Sequence, residues 1–484
     1  MQGIVLRKVG SIEFATTIHG IFDRAQWAEP GRRPMSSASP RIGGPASQAS
    51  LSRILGLGFG IAVIFGGTVG VGILRLPGTI AGELQSVPLI LLAWIVGGVY
   101  ALLGAISLSE MGTAMPQAGG FYIYAKRAFG TPVGFAIGWA DWLNNCTVVA
   151  YAAMAASEYI AALAPRTASW QTALALALVF LFCALHLAGL RLSSTIQKVT
   201  SSVTAITFLI LAIACLTHRA PSTAAPPMGL HRGGFLLMLV PIVGALRAIV
   251  VTYDGWYEAI YFTEEDTNAA SHLPRAMIGG VLLVLGLYLL MNLAFLHVLS
   301  IPALAASKLP AADAASVVFP AWSGRYVTVL SLLTLLSLIN AVLLGAPRIL
   351  LAIGRDGLFT ERVARVGAGG TPWAASLLSA GLAAGLIASG KFDDIIAVAA
   401  ILVAAMYCMN YIGVMVLRLR EPQMPRPFRA WGYPVTTGLA LAGSFAFLVA
   451  AIHDDRVSAL RALGLLALAA PAYAFMRWRH RART

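Results

Sequence analysis

Apolar runs, each closed by a short polar or basic interval, recur along the chain from residue 52 to residue 477. A bilayer crossing takes about 20 predominantly apolar residues. Twelve runs predict helical spans at 52–82, 87–113, 132–162, 171–189, 196–217, 235–263, 275–299, 324–353, 371–389, 393–418, 433–452 and 457–477. An even number of spans leaves both termini on one side. Residues 1–50 are instead rich in Ser, Pro, Gly and Arg and lack the continuous apolar core of a signal peptide. They are expected to form a disordered cytoplasmic tail, within which Met35 is an alternative start.

Two of the runs are interrupted where a helix should be strongest. The first reads Gly66-Gly67-Thr68-Val69-Gly70-Val71-Gly72-Ile73, with Arg75 and Pro77 beyond. Each such glycine weakens a helix by roughly 0.5–1 kcal/mol relative to alanine. The spacing of Gly66 and Gly70 fits a close-packing seam, and an unwound segment is the other reading. The sixth run carries Val251-Thr252-Tyr253-Asp254-Gly255-Trp256-Tyr257-Glu258, an Asp-Gly turn signal with carboxylates that are costly in hydrocarbon. Each break falls in the first span of a block of five, 1–5 and then 6–10. Matched breaks at corresponding positions point to a transporter built from inverted repeats with its site near the midplane. A nucleotide-binding reading of the glycines fails, because no strand precedes them.

Composition agrees with the span pattern: 58% of residues are hydrophobic and 11% charged, with a mean hydropathy of +0.79. The net charge of +14 raises nucleic-acid binding as an alternative. Most of the Lys and Arg, however, fall in the tails and in alternate inter-span loops. That asymmetry marks the cytoplasmic side and puts both termini there. Arg418, Arg420, Arg426, Arg429 and the basic 478–484 tail read as interfacial anchors. Cys146, Cys183, Cys215 and Cys408 all lie inside predicted spans, without disulfide or metal spacing. The sequence implies no cofactor.

Five motifs then narrow the field. They are the glycine segment with Pro77-Gly78, and Ser109-Glu110 through Pro116, Gly119-Gly120 and Tyr122. Tyr253-Asp254-Gly255-Trp256 follows, with Glu264-Glu265 and Leu273-Pro274-Arg275. After that come Pro347-Arg348 through Gly354-Arg355-Asp356-Gly357 with Thr371-Pro372, and then Pro425-Arg426-Pro427-Phe428-Arg429 with Gly432 and Pro434. In this order, the chain resembles the amino acid–polyamine–organocation permeases, nearest the L-type amino acid carriers and their bacterial relatives. The resemblance implies an all-α protein with a LeuT-type 5+5 inverted repeat. Residues 51–217 and 235–418 would form the repeats, with two further spans at 433–477.

An amino acid presents a carboxylate and an ammonium. Unwinding span 1 frees backbone N–H groups at a positive helix end, where Thr68, Gly70, Val71, Gly72 and the amide of Ile73 are candidates for the carboxylate. Carbonyls of Val69 and of Val251, Thr252, Tyr253 and Asp254 are candidates for the ammonium, with Gly255 at the break. The resemblance implies the same division. It also implies substrate contacts near Asn144 and Asn145 in span 3, where interhelix hydrogen bonds are the alternative; Asn340 in span 8 carries the same two readings. The small Val251 stands where relatives place an aromatic gate, and Val71 where many carry Ser. Thr204 falls where proton-coupled relatives carry a lysine, leaving sodium coupling or plain exchange open. Asp254 is either a protonatable group at the break or a cap of its own helix, and Glu258 lies one turn on. Arg75 and Arg247 are expected to guide anions inward or to pair with a carboxylate such as Glu158. His186 and His297 are expected at the interface.

The expected activity is therefore secondary transport of amino acids across the inner (cytoplasmic) membrane by symport or exchange. A polyamine or organic-cation antiporter is the nearer alternative, and a channel or receptor the more distant one. No metalloprotease motif, nucleophile elbow or phosphate loop is present to support an enzyme or an ATP-driven pump. The expected partners are an amino acid, membrane lipid and a coupling proton or sodium ion, with no nucleic acid. The chain is expected to act as a monomer or a homodimer.

Overall fold

The computed structural model describes residues 50–218, 235–389 and 392–481. The N-terminal stretch with Met35 and the last three residues lie outside the described residues. Within them the architecture is all-helical, and its only strand-like feature is an isolated parallel bridge between Leu55 and Asp266. In chain order the helices are α1 (Leu57–Thr68), α2 (Gly72–Leu84), α3 (Val87–Ala114), α4 (Phe121–Phe129), α5 (Thr131–Leu163) and α6 (Gln171–Ala188). Next come α7 (Leu190–Thr217), α8 (Phe235–Thr252), α9 (Ala269–Val298), α10 (Ile301–Ala306), α11 (Pro310–Val318) and α12 (Ser323–Arg355). The chain closes with α13 (Trp373–Ser389), α14 (Phe392–Arg420), α15 (Val435–Asp454) and α16 (Arg456–Arg481).

Among the described residues, nine helices are long and apolar enough to cross a bilayer, and ten if α1 and α2 count as one bent span. The predicted sixth and ninth spans appear as shorter apolar helices, Val240–Thr252 and Trp373–Ser389. Helix α4 was not expected as a separate element. It starts after Gly120 and stops at Gly130, both with positive φ, and buries Tyr122 and Tyr124 while exposing Arg127. Helices α10 and α11, in the predicted loop after span 7, are likewise too short and too mixed in polarity to read as spans.

Helix α12 is the central column. It packs along α5, α7, α13 and α1, and nearly every residue from Leu335 to Gly354 is buried. Helix α9 packs against both α1 and α3. Apolar side chains that face outward on α15 and α16, such as Phe445, Leu460 and Leu468, suit contact with lipid tails rather than water.

One end of the bundle is closed by charge pairs. Buried Arg348 grips buried Glu265 through Nε at 2.5 Å and Nη2 at 2.7 Å. Arg355 reaches Glu264 at 2.7 Å, and Lys126 reaches Asp356 at 2.6 Å. Glu110, wholly buried, receives Arg418, Arg426 and the Ala430 N–H. This corrects the anchor reading for Arg418 and Arg426. Their guanidiniums are held internally, because an unpaired Glu110 carboxylate would cost several kcal/mol there. At the same end, the N–H groups of Ile54 and Leu55 both donate to Glu265 O at 3.0 Å, and Thr267 N–H donates to Leu55 O at 3.0 Å.

Candidate functional site

Helix α1 stops because Val69 adopts an extended conformation (φ −77°, ψ 92°), and α2 resumes at Gly72 with the axis turned by 50°. Leu74 N–H is the first of α2 to find a backbone acceptor, Val71 O at 3.1 Å. The N–H groups of Gly70, Val71, Gly72 and Ile73 have no backbone acceptor among the described residues. They lie at the positive end of α2. The four glycines of the segment differ in what they permit. A Cβ on Gly67 would lie 2.6 Å from Glu258 Cγ, and one on Gly66 would drive into the Gln197–Ser201–Ser337 cluster. A Cβ on Gly72 would lie 3.1 Å from Thr252 Cγ2, whereas one on Gly70 meets only open space.

Helix α8 ends at Thr252, and Gly255 turns the chain with φ +97°, a conformation that costs a side chain about 1 kcal/mol or more. A Cβ there would also strike the Gly67 carbonyl. The two breaks thus meet backbone to backbone. Tyr288 of α9 joins them: its hydroxyl lies 3.1 Å from Thr68 O and 2.9 Å from Thr252 O and shares one proton between the carbonyls.

A cavity of about 270 Å³ opens at this junction. Thr68, Gly70, Val71 and Gly72 line one wall, and Val251, Thr252, Asp254, Gly255 and Glu258 line a second. Asn144 and Asn145 come in from α5. The cavity therefore gathers most of the candidates named from the sequence. The hydroxyl of Tyr407 on α14 donates to Asp254 Oδ1. The carboxylate thus has a partner on another helix, Tyr407, beside a local backbone bond from Gly255, and both arrangements expected for it are present.

Other candidates lie elsewhere. Val69 and Ile73 are buried beside the break without lining the cavity. The ring of Tyr253 packs between Trp94 and Tyr288, and its hydroxyl donates to Trp94 O at 3.2 Å. Asn340 lies outside the cavity lining: its Nδ2 donates to Gln197 Oε1 at 2.6 Å, and its Oδ1 meets His186 Nε2 at 3.0 Å. His186 is accordingly buried rather than interfacial, whereas His297 is exposed beside His218 O. Thr204 is buried on α7 away from the cavity. One turn and two turns earlier, Ser201 and Gln197 donate to Ala62 O of α1 at 2.7 and 3.2 Å and join α7 to α1. Arg75 donates to Tyr159 at 3.3 Å. Arg247 pairs with Asp454 at the end of α15. Neither pairs with Glu158; Arg247 instead makes the plain carboxylate pair that was the other expectation, and Arg75 takes a tyrosine hydroxyl.

Several residues at or near the cavity were not named from the sequence. Tyr151, Tyr257 and Tyr407 add aromatic walls, and Phe447 enters from α15. Asp141, one turn before Asn145, is a fully buried carboxyl whose charge inside an apolar run was a visible signal.

The arrangement provides bare amides facing acceptor groups across a small-molecule-sized space, reached where two helices unwind in an apolar bundle. The comparisons agree with it. The chain is 26% identical over 425 residues to the serine/threonine exchanger SteT of Bacillus subtilis (strain 168), covering 84% of this chain and 93% of that one. It is 26% identical over 416 residues to the human b(0,+)-type amino acid transporter 1, with 83% of each covered. It is 27% identical over 412 residues to the human Asc-type amino acid transporter 1, covering 80% of this chain and 76% of that one. The amino acid permease family model matches residues 60–462. The chain belongs to the amino acid permease family and is a multi-pass membrane transporter of that family.

Proposed function

We propose that this permease moves amino acids across the cytoplasmic membrane by alternating access, exchanging one for another or carrying one with a coupled ion. The observation that carries the site assignment is the pairing of free amides at 70–73 with the open space at Gly70. Gly70 has no neighbour to avoid and no positive φ to sustain. Its missing side chain leaves room for the substrate carboxylate to reach the backbone. The ammonium is received by carbonyls at the two breaks: Val69 O on one side and those of 251–254 on the other, where Val251 O already accepts from Asp254 N–H at 3.3 Å and Thr252 O from Tyr288. Asn144, Asn145, Val251 and Phe447 bound the space left for the substrate side chain. Asp254 and Glu258 are the coupling candidates.

Five-helix repeats at 51–217 and 235–418 account for the matched breaks, and the basic loops orient both termini to the cytoplasm. The exchanger named among the relatives supports exchange as the basic mode. The test is Gly70→Val assayed by substrate counterflow in proteoliposomes. A hydrogen bond to a charged group is worth about 1.5–3 kcal/mol, so blocking one amide raises KM by roughly tenfold to a hundredfold. The variant should still insert and purify as a folded protein. An unchanged KM would refute the amide cradle.

A further inference from the structure

A second cavity, of about 710 Å³, lies between the segment that follows α12 and the start of α13. It shares no lining residue with the substrate cavity. Residues Glu361–Ala364 form a 3-10 turn, in which Val363 N–H donates to Thr360 O at 3.1 Å and Arg365 N–H donates to Arg362 O at 3.2 Å. The apolar side of this turn is fixed to the central column. Val363 and Ala364 are buried, and a Cβ on Gly354 of α12 would lie 2.5 Å from Val363 Cγ2. Side chains three apart eclipse one another in 3-10 geometry, so Arg362 and Arg365 stand on one face. Both are exposed, and both line the cavity.

Among the described residues neither guanidinium takes part in an ion pair. Glu361 is the one acidic residue of the lining and is already engaged with a neighbour. The lining therefore carries two cations against one carboxylate. Helix α13 supplies the opposite wall. Trp373 and Leu377, one turn apart on the same helix face, line the cavity with Leu378, and all three are exposed. Helix α12 ends at Arg355 and α13 begins at Trp373, so the cavity stands where both helices meet one membrane surface. Its basic turn lies at headgroup level, and its leucines continue toward the hydrocarbon. An indole at the boundary suits that depth. Outward leucines alone would suit any lipid tail, whereas a concave space with two unpaired arginines selects a headgroup.

We propose that this cavity holds one anionic phospholipid, with its phosphate between Arg362 and Arg365 and its acyl chains along Trp373, Leu377 and Leu378. The paired N–H groups of a guanidinium match two phosphate oxygens. The segment belongs to the basic loops assigned to the cytoplasmic side, whose leaflet carries anionic lipid. A zwitterionic headgroup brings a cation beside the two arginines, and free phosphate leaves the apolar wall bare. An occupant braces the closed end of the bundle, because Val363 seats on Gly354, next to the Arg355 that reaches Glu264.

The test is native mass spectrometry of the full chain in detergent, titrated with phosphatidylglycerol or with phosphatidylcholine. One phosphatidylglycerol should bind at least about tenfold more tightly than phosphatidylcholine. Each arginine near an anionic headgroup is worth about fivefold. Arg362→Gln and Arg365→Gln should each weaken that first site by about this factor, and the double variant by about twenty-five-fold. Both side chains are exposed, so thermal unfolding should match the wild type. Arg429, exposed and outside the cavity, is the control, and Arg429→Gln should leave the first site unchanged. Equal binding of the two lipids overturns the proposal. So does an Arg429→Gln loss as large as that of the double variant, which would mean diffuse surface charge. Full displacement by millimolar inorganic phosphate, or equal binding of a short-chain phosphatidylglycerol, overturns the lipid in favour of a soluble phosphate ligand. The readout needs no transport, so its failure leaves the carrier reading standing.

Discussion

Replacing Arg348 by Met should be among the most damaging single changes in the closed end of the bundle. Both partners of the Arg348–Glu265 pair are essentially unexposed, at 1% and 0% of their side-chain surface, with contacts of 2.5 and 2.7 Å. Arg348 also lies 4.5 Å from the Phe262 ring centroid. Removing the guanidinium strands a buried carboxylate, a change that costs about 3–5 kcal/mol. The lost ring contact contributes about 0.5–2 kcal/mol of the same order. Arg348→Met with Glu265→Leu removes both charges and fills the space with methylene groups. Such replacements are often neutral or stabilising, so the double variant should recover all but about 1–2 kcal/mol. The assay is a double-mutant cycle by denaturant titration in mixed micelles, in which the expected non-additivity exceeds about 2 kcal/mol. An Arg348→Met variant within about 1 kcal/mol of the wild type, or a double variant no better than the single, would refute the argument.

Gly255→Ala meets both an unfavourable φ of +97° and the Gly67 backbone. A loss of about 2 kcal/mol or more in stability is expected, with transport abolished; a thermal-unfolding curve superimposable on the wild type would count against the close junction of the breaks. Asn340→Ala should destabilise by about 1–3 kcal/mol, because Gln197 and His186 lose partners. Its KM should stay near that of the wild type, and a KM shift beyond about fivefold would restore Asn340 to the substrate site.

The span pattern and both breaks were legible because burial in lipid writes itself as apolar length, and an unwound helix writes itself as glycine or Asp-Gly within that length. Short helices such as α4 and α11 were not legible. Their apolar faces are one or two turns long and merge with the flanking loops. The motifs on which the family resemblance rests turn out to build scaffold as much as site. Glu110 with Arg426, Glu265 with Arg348 and Glu264 with Arg355 form pairs at the closed end of the bundle, whereas Asp141, Tyr151, Tyr407 and Phe447 line or back the cavity without belonging to any motif quoted. Pairings such as Glu110 with Arg418 cross some three hundred positions, which local periodicity does not encode. Thr204 is buried on α7 without lining the cavity, while Ser201 and Gln197 of the same helix hold Ala62 O of α1, a division of labour that counting along the helix does not encode.

The short parallel pairing between 54–55 and 265–267 has a mechanical consequence. Its three bonds are all backbone to backbone, two of them to Glu265 O, and Glu265 is bolted through its side chain to α12. The start of α1 and the segment following the second break therefore travel as one rigid lever hinged on the central column. Opening this end either carries the whole lever or ruptures these peptide hydrogen bonds. Because those bonds belong to the main chain, side-chain substitution at Ile54 or Leu55 leaves the lever intact. Proline, which lacks the N–H, would cut it.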